Sequence, residues 1–389
     1  MHLSKNQFAA ALSTRTNLQQ AIVEASDRVR ATLGSAADVA VVFIGSQYES
    51  QLDDVGPQLS KLLNVECVLG CTAEGVIAEG REIEDGTGVA VWAAKLPDAH
   101  ITSFHLEFQR TPEGSAFVGW PDELVEEWQA SDTLLLLADP YTFPADYLLE
   151  RLNEDHPGCP VLGGMASGAS RPGDNRLFVG QQMYSDGAVG WRVRDLSIQP
   201  VVSQGCRPIG DRLVVTAAER NVIKQLGGRP ALEQLRRIFV ELPTHEQAAL
   251  QRGLHVGRVV SEYQDELQMG DFLIRNVLGL DHESGSIAIG DFVRPGQTVQ
   301  FHIRDEAAAD GELRQLLVGQ VESQPKAGLI FSCNGRGTRL FSQADHDAEA
   351  VKATLGDIPL VGFFAQGEIG PVGSANFLHG FTASLALFS

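Results

Sequence analysis

The sequence predicts a mixed α/β protein of two domains, built from repeated strand, helix, strand, turn and strand units whose sheets are covered by helices. Three observations carry that prediction. A turn of the form G-x-x-A-x-G recurs as Gly70-Cys-Thr-Ala73-Glu-Gly75, Gly163-Gly-Met-Ala166-Ser-Gly168 and Gly362-Phe-Phe-Ala365-Gln-Gly367. Upstream of each turn lies a hydrophobic segment of strand length that breaks into small or polar residues, at 39–46, 133–140 and 327–335. Between segment and turn runs a helical apolar stripe, and a helix-bearing crossover between two strands makes them parallel neighbours.

Taken in order, residues 17–33 form an amphipathic helix with Leu18, Ile22, Ala25, Val29 and Leu33 in register. The first repeat follows, its helix carrying Val55, Leu59, Leu62 and Leu63, and a further strand at 88–93 follows its turn. Residues 101–108 alternate, with Phe104, Leu106 and Phe108 on one face. The second repeat's helix opens near Pro144 and groups Leu148, Leu149 and Leu152, and its last strand is at 187–193. Residues 205–325 do not fit the repeat: they read as a strand at 213–217, helices at 230–240 and 244–252, and strands at 272–277, 286–289 and 298–304. Thr244 and Gln247 have the spacing of a capping box. The third repeat's helix starts at Asp345 or Asp347 and presents Ala348, Val351 and Leu355, with a final strand at 379–388. A domain change is expected near 205–221, which gives a helical lead-in at 1–34 and domains at 35–215 and 216–389.

The chain of 389 residues, 43% hydrophobic and 21% charged, is long enough for a substantial core. Its formal charge of -20 disfavours phosphate-rich partners, so neither nucleic acid nor an anionic membrane surface is expected as a partner. No apolar run reaches the roughly 18 to 20 residues that cross a bilayer. The first 17 residues lack the layout of a secretion signal, and a cytoplasmic location is expected. Five dispersed cysteines fit neither a disulfide framework nor a zinc site, in keeping with a reducing compartment. No cofactor or metal is expected: neighbouring side chains in Asp345-His346-Asp347 point in different directions, and a helix cap accounts for them better than chelation.

The densest polar constellation is C-terminal. It comprises Cys333, Asn334 and Arg336, then Gln366, Gly367 and Glu368, then His379. Its first two groups follow apolar strands, where ligands bind in open α/β sheets. Arg336 offers a fixed fork of donors to a carboxylate and Glu368 would receive an ammonium, which together suit a small zwitterion. The alternative is that Arg336 and Glu368 pair with each other and tie two loops together. Cys71 and Thr72, inside the first glycine turn, and Cys333 also sit at strand ends beside backbone donors. A thiolate at Cys333 would need a base, with His346 and His379 as the candidates, against which stands the usual role of cysteine as a small buried apolar residue.

The string Phe331-Ser-Cys-Asn-Gly-Arg-Gly, with Ile358-Pro-Leu-Val-Gly-Phe-Phe-Ala-Gln-Gly-Glu-Ile-Gly-Pro371 and His379-Gly-Phe-Thr382, resembles the C-terminal part of the FIST family. Residues 39–46 with Leu69-Gly-Cys-Thr-Ala-Glu-Gly75 resemble its N-terminal part. The resemblance implies a two-part intracellular sensory module that binds small ligands such as amino acids. In bacteria it is often joined to signalling domains and in eukaryotes to an F-box. Neither attachment is legible here, so a signal would pass through a separate partner protein. Cys333, Asn334, Arg336, Gln366, Glu368 and His379 transfer only as site or scaffold residues. A recruitment scaffold without a small ligand, and an enzyme using a cysteine, are the competing readings.

Overall fold

The computed structural model of the chain describes residues 6–389 apart from 53, 113, 127, 261 and 263–268. Two compact units emerge, one made of the chain up to Val202 together with Arg314–Ser389, the other of Ser203–Leu313. The first repeat runs through β1 (Gln7–Ser13), α1 (Leu18–Leu33), β2 (Val39–Gly45), α2 (Val55–Leu63), β3 (Cys67–Ala73), β4 (Val76–Ala78), β5 (Arg81–Ile83) and β6 (Val89–Lys95). The second runs through β7 (His100–Thr111), β8 (Gly114–Val118), α3 (Asp122–Glu126), β9 (Thr133–Ala138), α4 (Ala145–Asp155), β10 (Val161–Met165), β11 (Leu177–Val179), β12 (Gln182–Tyr184) and β13 (Ala188–Arg194).

A third repeat opens with β14 (Ile198–Ser203), and there the second unit is inserted. It contains β15 (Cys206–Glu219), β16 (Val222–Leu226), β17 (Arg229–Pro230), α5 (Ala231–Glu241), α6 (Thr244–Arg252), β18 (Leu254–Val259), β19 (Phe272–Asp281), β20 (Ser286–Ile289) and β21 (Thr298–Arg304). Helix α7 (Glu306–Val318) begins in the second unit and ends in the first, where the repeat resumes with β22 (Ala327–Cys333), α8 (His346–Leu355), β23 (Leu360–Ala365), β24 (Glu368–Val372), β25 (Ala375–His379) and β26 (Ala383–Phe388).

The sheets of the first unit are ordered β1-β6-β2-β3-β11-β12, β8-β7-β13-β9-β10-β24-β25 and β14-β26-β22-β23-β4-β5. Each has the same plan. Two parallel strands flank a helical crossover, as the sequence predicts: β2 with β3, β9 with β10, β22 with β23. The repeat's own last strand lies antiparallel on the first of the pair. On the other side lies a hairpin given by a different repeat: β11–β12 from the second to the first, β24–β25 from the third to the second, and β4–β5 from the first to the third. Every repeat therefore gives one hairpin and receives one.

The first glycine of each turn is fixed by strand spacing. A Cβ at Gly70, Gly163 or Gly362 would stand 2.1, 1.8 or 1.9 Å from the carbonyl oxygen of Val42, Leu136 or Ile330 on the paired strand. Only glycine permits that approach. The alanines of the three turns, Ala73, Ala166 and Ala365, are fully buried and join Phe43, Phe331 and Phe363 in one core. Those three rings pack with centroids 4.7 to 6.4 Å apart. Strands β2, β9 and β22 are buried along their whole length, as expected of strands covered on both faces.

Several local expectations change. Residues 7–13, read only as part of a helical lead-in, form an edge strand paired with β6, and α1 follows with Asn17 capping the Gln20 amide at 3.0 Å. The Thr244 capping box does not form. Pro243 is the N-cap of α6, and Gln247 instead donates to the Leu242 carbonyl at 2.9 Å. The compact units group Arg314–Ser389 with the chain up to Val202 and set Ser203–Leu313 apart. In that second unit β15 pairs with both β21 and β16, closing six antiparallel strands on themselves. Leu232, Leu235 and Ile238 of α5 complete its core with Val215, Ile223 and Phe301.

Candidate functional site

The shared plan brings equivalent positions of the three repeats together. The fifth residue of each turn, Glu74, Ser167 and Gln366, faces one cleft of about 620 Å³. The residues that follow the first parallel strands, Ser46, Tyr141 and Asn334, face it as well. The loop between β10 and β11 adds Arg171 and Asp174, and Glu49 completes the acidic side.

Backbone and side-chain bonds across the turns fix this arrangement. Ser167 Oγ donates to the Phe364 carbonyl and accepts from the Glu74 amide at 2.9 Å, so one hydroxyl stitches all three turns. The Gln366 amide donates to Met165 O at 3.1 Å, and the Asn334 amide to Ala365 O at 2.8 Å. Glu74 forms an ion pair with Arg339, whose other nitrogen donates to Asn334 O at 2.6 Å. On the far wall the buried Asp139 carboxylate accepts from the Tyr141 and Thr142 amides at 3.2 and 2.9 Å and from Asn175 Nδ2 at 2.9 Å. That carboxylate holds the Tyr141 loop to the segment that carries Asp174.

Of the residues the sequence singled out, Asn334 and Gln366 line the cleft. Cys71, Thr72, Cys333, Arg336, Gly367, Glu368 and His379 are buried, and Asp345 and His346 are half-buried. The Arg336 guanidinium is fully buried, donating through Nε and Nη2 to the two oxygens of Asp347, both at 2.8 Å, over the Phe341 ring. Ser332 Oγ adds a bond to Asp347 at 2.7 Å. Burial alone would raise the Asp347 carboxyl, but the Arg336 charge and these hydrogen bonds hold it well below the usual carboxylate range. Glu368 is fully buried and accepts from the Thr382 amide at 3.1 Å. Burial pushes its carboxyl up to about 8, against the Thr382 amide, the Cys333 thiol and the Arg336 charge.

His379 Nε2 lies 2.9 Å from Gly370 O, and Cys333 Sγ accepts from the Gly335 amide at 3.4 Å. Cys71 points into the apolar core, where burial pushes its thiol well above the ordinary range. Thr72 Oγ1 accepts from the Arg176 amide at 2.9 Å, and Gly367 O accepts from the Met165 amide at 2.8 Å. These groups lie outside the lining of the cleft.

Asp345-His346-Asp347 is a junction between repeats, with Asp347 fully buried and Asp345 and His346 half-buried. The Asp347 and Ala348 amides that open α8 donate to Glu82 Oε1 of β5 at 2.7 and 3.0 Å, and Asp345 Oδ1 accepts from the Glu82 amide at 2.6 Å. The hairpin of the first repeat thus caps a helix of the third. Burial, and next the Asp347 charge, push the Glu82 carboxyl up to about 8. Among the described residues no group of histidine, cysteine, aspartate and glutamate side chains could hold a metal ion.

Sequence reasoning missed Glu49, Glu74, Tyr141, Ser167, Arg171 and Asp174. The signal for two of them was present, because Glu74 and Ser167 occupy the same place in their turns as Gln366. Arg171 and Asp174 lie in a loop with no counterpart motif and left no such trace.

Comparison with known proteins adds the lineage. The FIST N domain matches residues 38–229 and the FIST C domain residues 231–371. An uncharacterized protein of Mycobacterium tuberculosis is 43% identical over 386 residues, covering 98% of this chain and 99% of its own length. One of Mycobacterium bovis is 42% identical over 386 residues, covering 98% of both. F-box only protein 22 of Homo sapiens is 30% identical over a segment of 69 residues, 18% of this chain and 17% of that protein. The chain belongs to the FIST family, whose domains are regarded as sensory modules that bind small ligands in signalling.

Proposed function

We propose that this chain is the sensing component of a signal-transduction pathway: it binds a small polar ligand of the amino-acid kind in the cleft where the three turns meet, and it signals through a partner protein. The observation that carries this reading is the convergence of Glu74, Ser167 and Gln366, from separate repeats, on one polar cleft. A ligand seated there touches all three repeats at once, so occupancy has a direct route to the whole first unit. Asn334 and Gln366 supply neutral hydrogen bonds to it, while Arg336, Glu368, Cys333, Gly367, His379, Cys71 and Thr72 hold the turns in place. We place the protein in the cytoplasm, a reading supported by five cysteines of which none lies in a disulfide. Among the described residues no helix is long and apolar enough to cross a membrane.

A thermal-shift screen of the chain against amino acids and common metabolites tests the proposal. A ligand at 100 times its dissociation constant stabilises the fold by about 2.7 kcal/mol. The expected result is a shift that Gln366→Ala or Asn334→Ala reduces without lowering the melting temperature of the unliganded protein. A panel without any shift favours the recruitment scaffold instead. For that reading the relevant feature is a hollow of about 450 Å³ between the β7–β8 hairpin and α4, lined by Phe117, Trp120, Trp128, Leu148 and Leu152.

A further inference from the structure

The charges in the cleft narrow the ligand further, on the premise that the cleft is the ligand site. Three carboxylates line it, Glu49, Glu74 and Asp174, together with one guanidinium, Arg171. Glu74 is already neutralised by Arg339. Among the described residues the side chains of Glu49, Asp174 and Arg171 enter no hydrogen bond or ion pair, although they share one cavity. A simple zwitterion would satisfy Arg171 and one carboxylate and leave the second facing it unmatched. Two unneutralised carboxylates, in a chain of formal charge -20, instead favour a ligand that brings two cationic groups and one anionic group.

We propose that the cleft selects a basic amino acid. Arg171 takes the carboxylate in a forked pair, Asp174 the α-ammonium, and Glu49 the cationic end of the side chain. The aliphatic stem passes the Tyr141 ring, an amphipathic surface suited to a methylene chain that ends in a charge. At about 620 Å³ the cavity falls within the usual range for small-ligand sites and accommodates the long side chain together with bridging water.

Calorimetric titration of the full chain with four probes tests this: lysine, norleucine, which lacks the ε-ammonium, cadaverine, which lacks the carboxylate, and glutamate. Lysine is expected to bind at least tenfold more tightly than each of the others, and less tightly as salt rises, since Glu49 and Arg171 are exposed. Glu49→Gln should erase the preference for lysine over norleucine, and Arg171→Ala the preference for lysine over cadaverine. Because both side chains are exposed, neither variant should alter folding. Norleucine or glutamate binding as tightly as lysine overturns the ligand class while leaving the cleft as a ligand site. Preferences that survive Glu49→Gln and Arg171→Ala overturn the residue assignment. Silence from all four probes overturns the basic amino acid, and the wider screen with Gln366→Ala then decides separately whether the cleft binds anything.

Discussion

Arg336 and Asp347 are a pair whose two members cannot be removed singly without a large cost. Both side chains are fully buried, and the fork-to-carboxylate geometry satisfies charges that would be expensive alone. Asp347→Ala strands the guanidinium in the core, and urea denaturation should show a loss of about 3 to 5 kcal/mol. Arg336→Ala should likewise lower the melting temperature sharply. The two buried glutamates give a pH signature. Glu82 and Glu368, carboxyls with an ordinary value of 4.5, sit at about 8 because burial opposes their charge. A carboxyl raised on folding favours the folded state in its neutral form. Its contribution is complete below about 4.5 and is lost as pH rises through about 8. Glu368→Gln keeps the neutral form at every pH, so its stability relative to the parent should improve from pH 6.5 to 8.5; a constant difference across that range would show that Glu368 does not titrate there. The sequence marked Arg336 and Glu368 as a ligand-holding pair or as partners of each other; the structure pairs Arg336 with Asp347 and gives Glu368 the Thr382 amide. The sequence did not disclose those partners, because burial decides whether a charge faces a ligand or a counter-charge, and burial is set by sheets formed far along the chain.

The elements show the same division between local and distant information. Repeats, crossover helices and glycine turns were legible because each is written in a short stretch of chain. The glycine requirement is strict. Gly362→Ala would place a methyl carbon 1.9 Å from Ile330 O, and equilibrium unfolding should register a loss of more than about 3 kcal/mol. Gly279→Ala, with no atom within 4 Å of the added carbon, is the control and should change stability by less than about 1 kcal/mol. The donated hairpins were not legible. β4 joins β23 across more than 280 residues of chain, as in the Val361–Ala78 pairing, and short strands such as Val76–Ala78 carry no alternation that names their neighbour. The edge strand β1 escaped for a related reason: Phe8–Leu12 is a continuous apolar run, and continuous runs do not distinguish a strand from other buried segments.

Across the whole molecule the hairpin exchange joins the two family domains. The FIST N match ends at residue 229 and the FIST C match begins at 231, inside the second unit, where β17 meets α5. A chain cut at residue 230 has β10 without β24 and the β4–β5 hairpin without β23. Residues 1–230 alone should therefore fail to give a cooperative unfolding transition, and co-expression with 231–389 should restore it; a sharp transition from the first fragment alone would refute this. Folding should also be slow for the chain's size, since the closing contacts are among its most distant in sequence.

The give-one, take-one pairing is that of a three-subunit assembly with cyclic symmetry in which identical chains exchange an arm, here drawn as a single polypeptide. Identical subunits would be bound to present the same side chain three times to anything held between them. A single chain is free of that restriction. Glu74, Ser167 and Gln366 are an acid, a hydroxyl and an amide at corresponding places, so linkage converts a symmetric junction into an asymmetric one that distinguishes the ends of an asymmetric molecule.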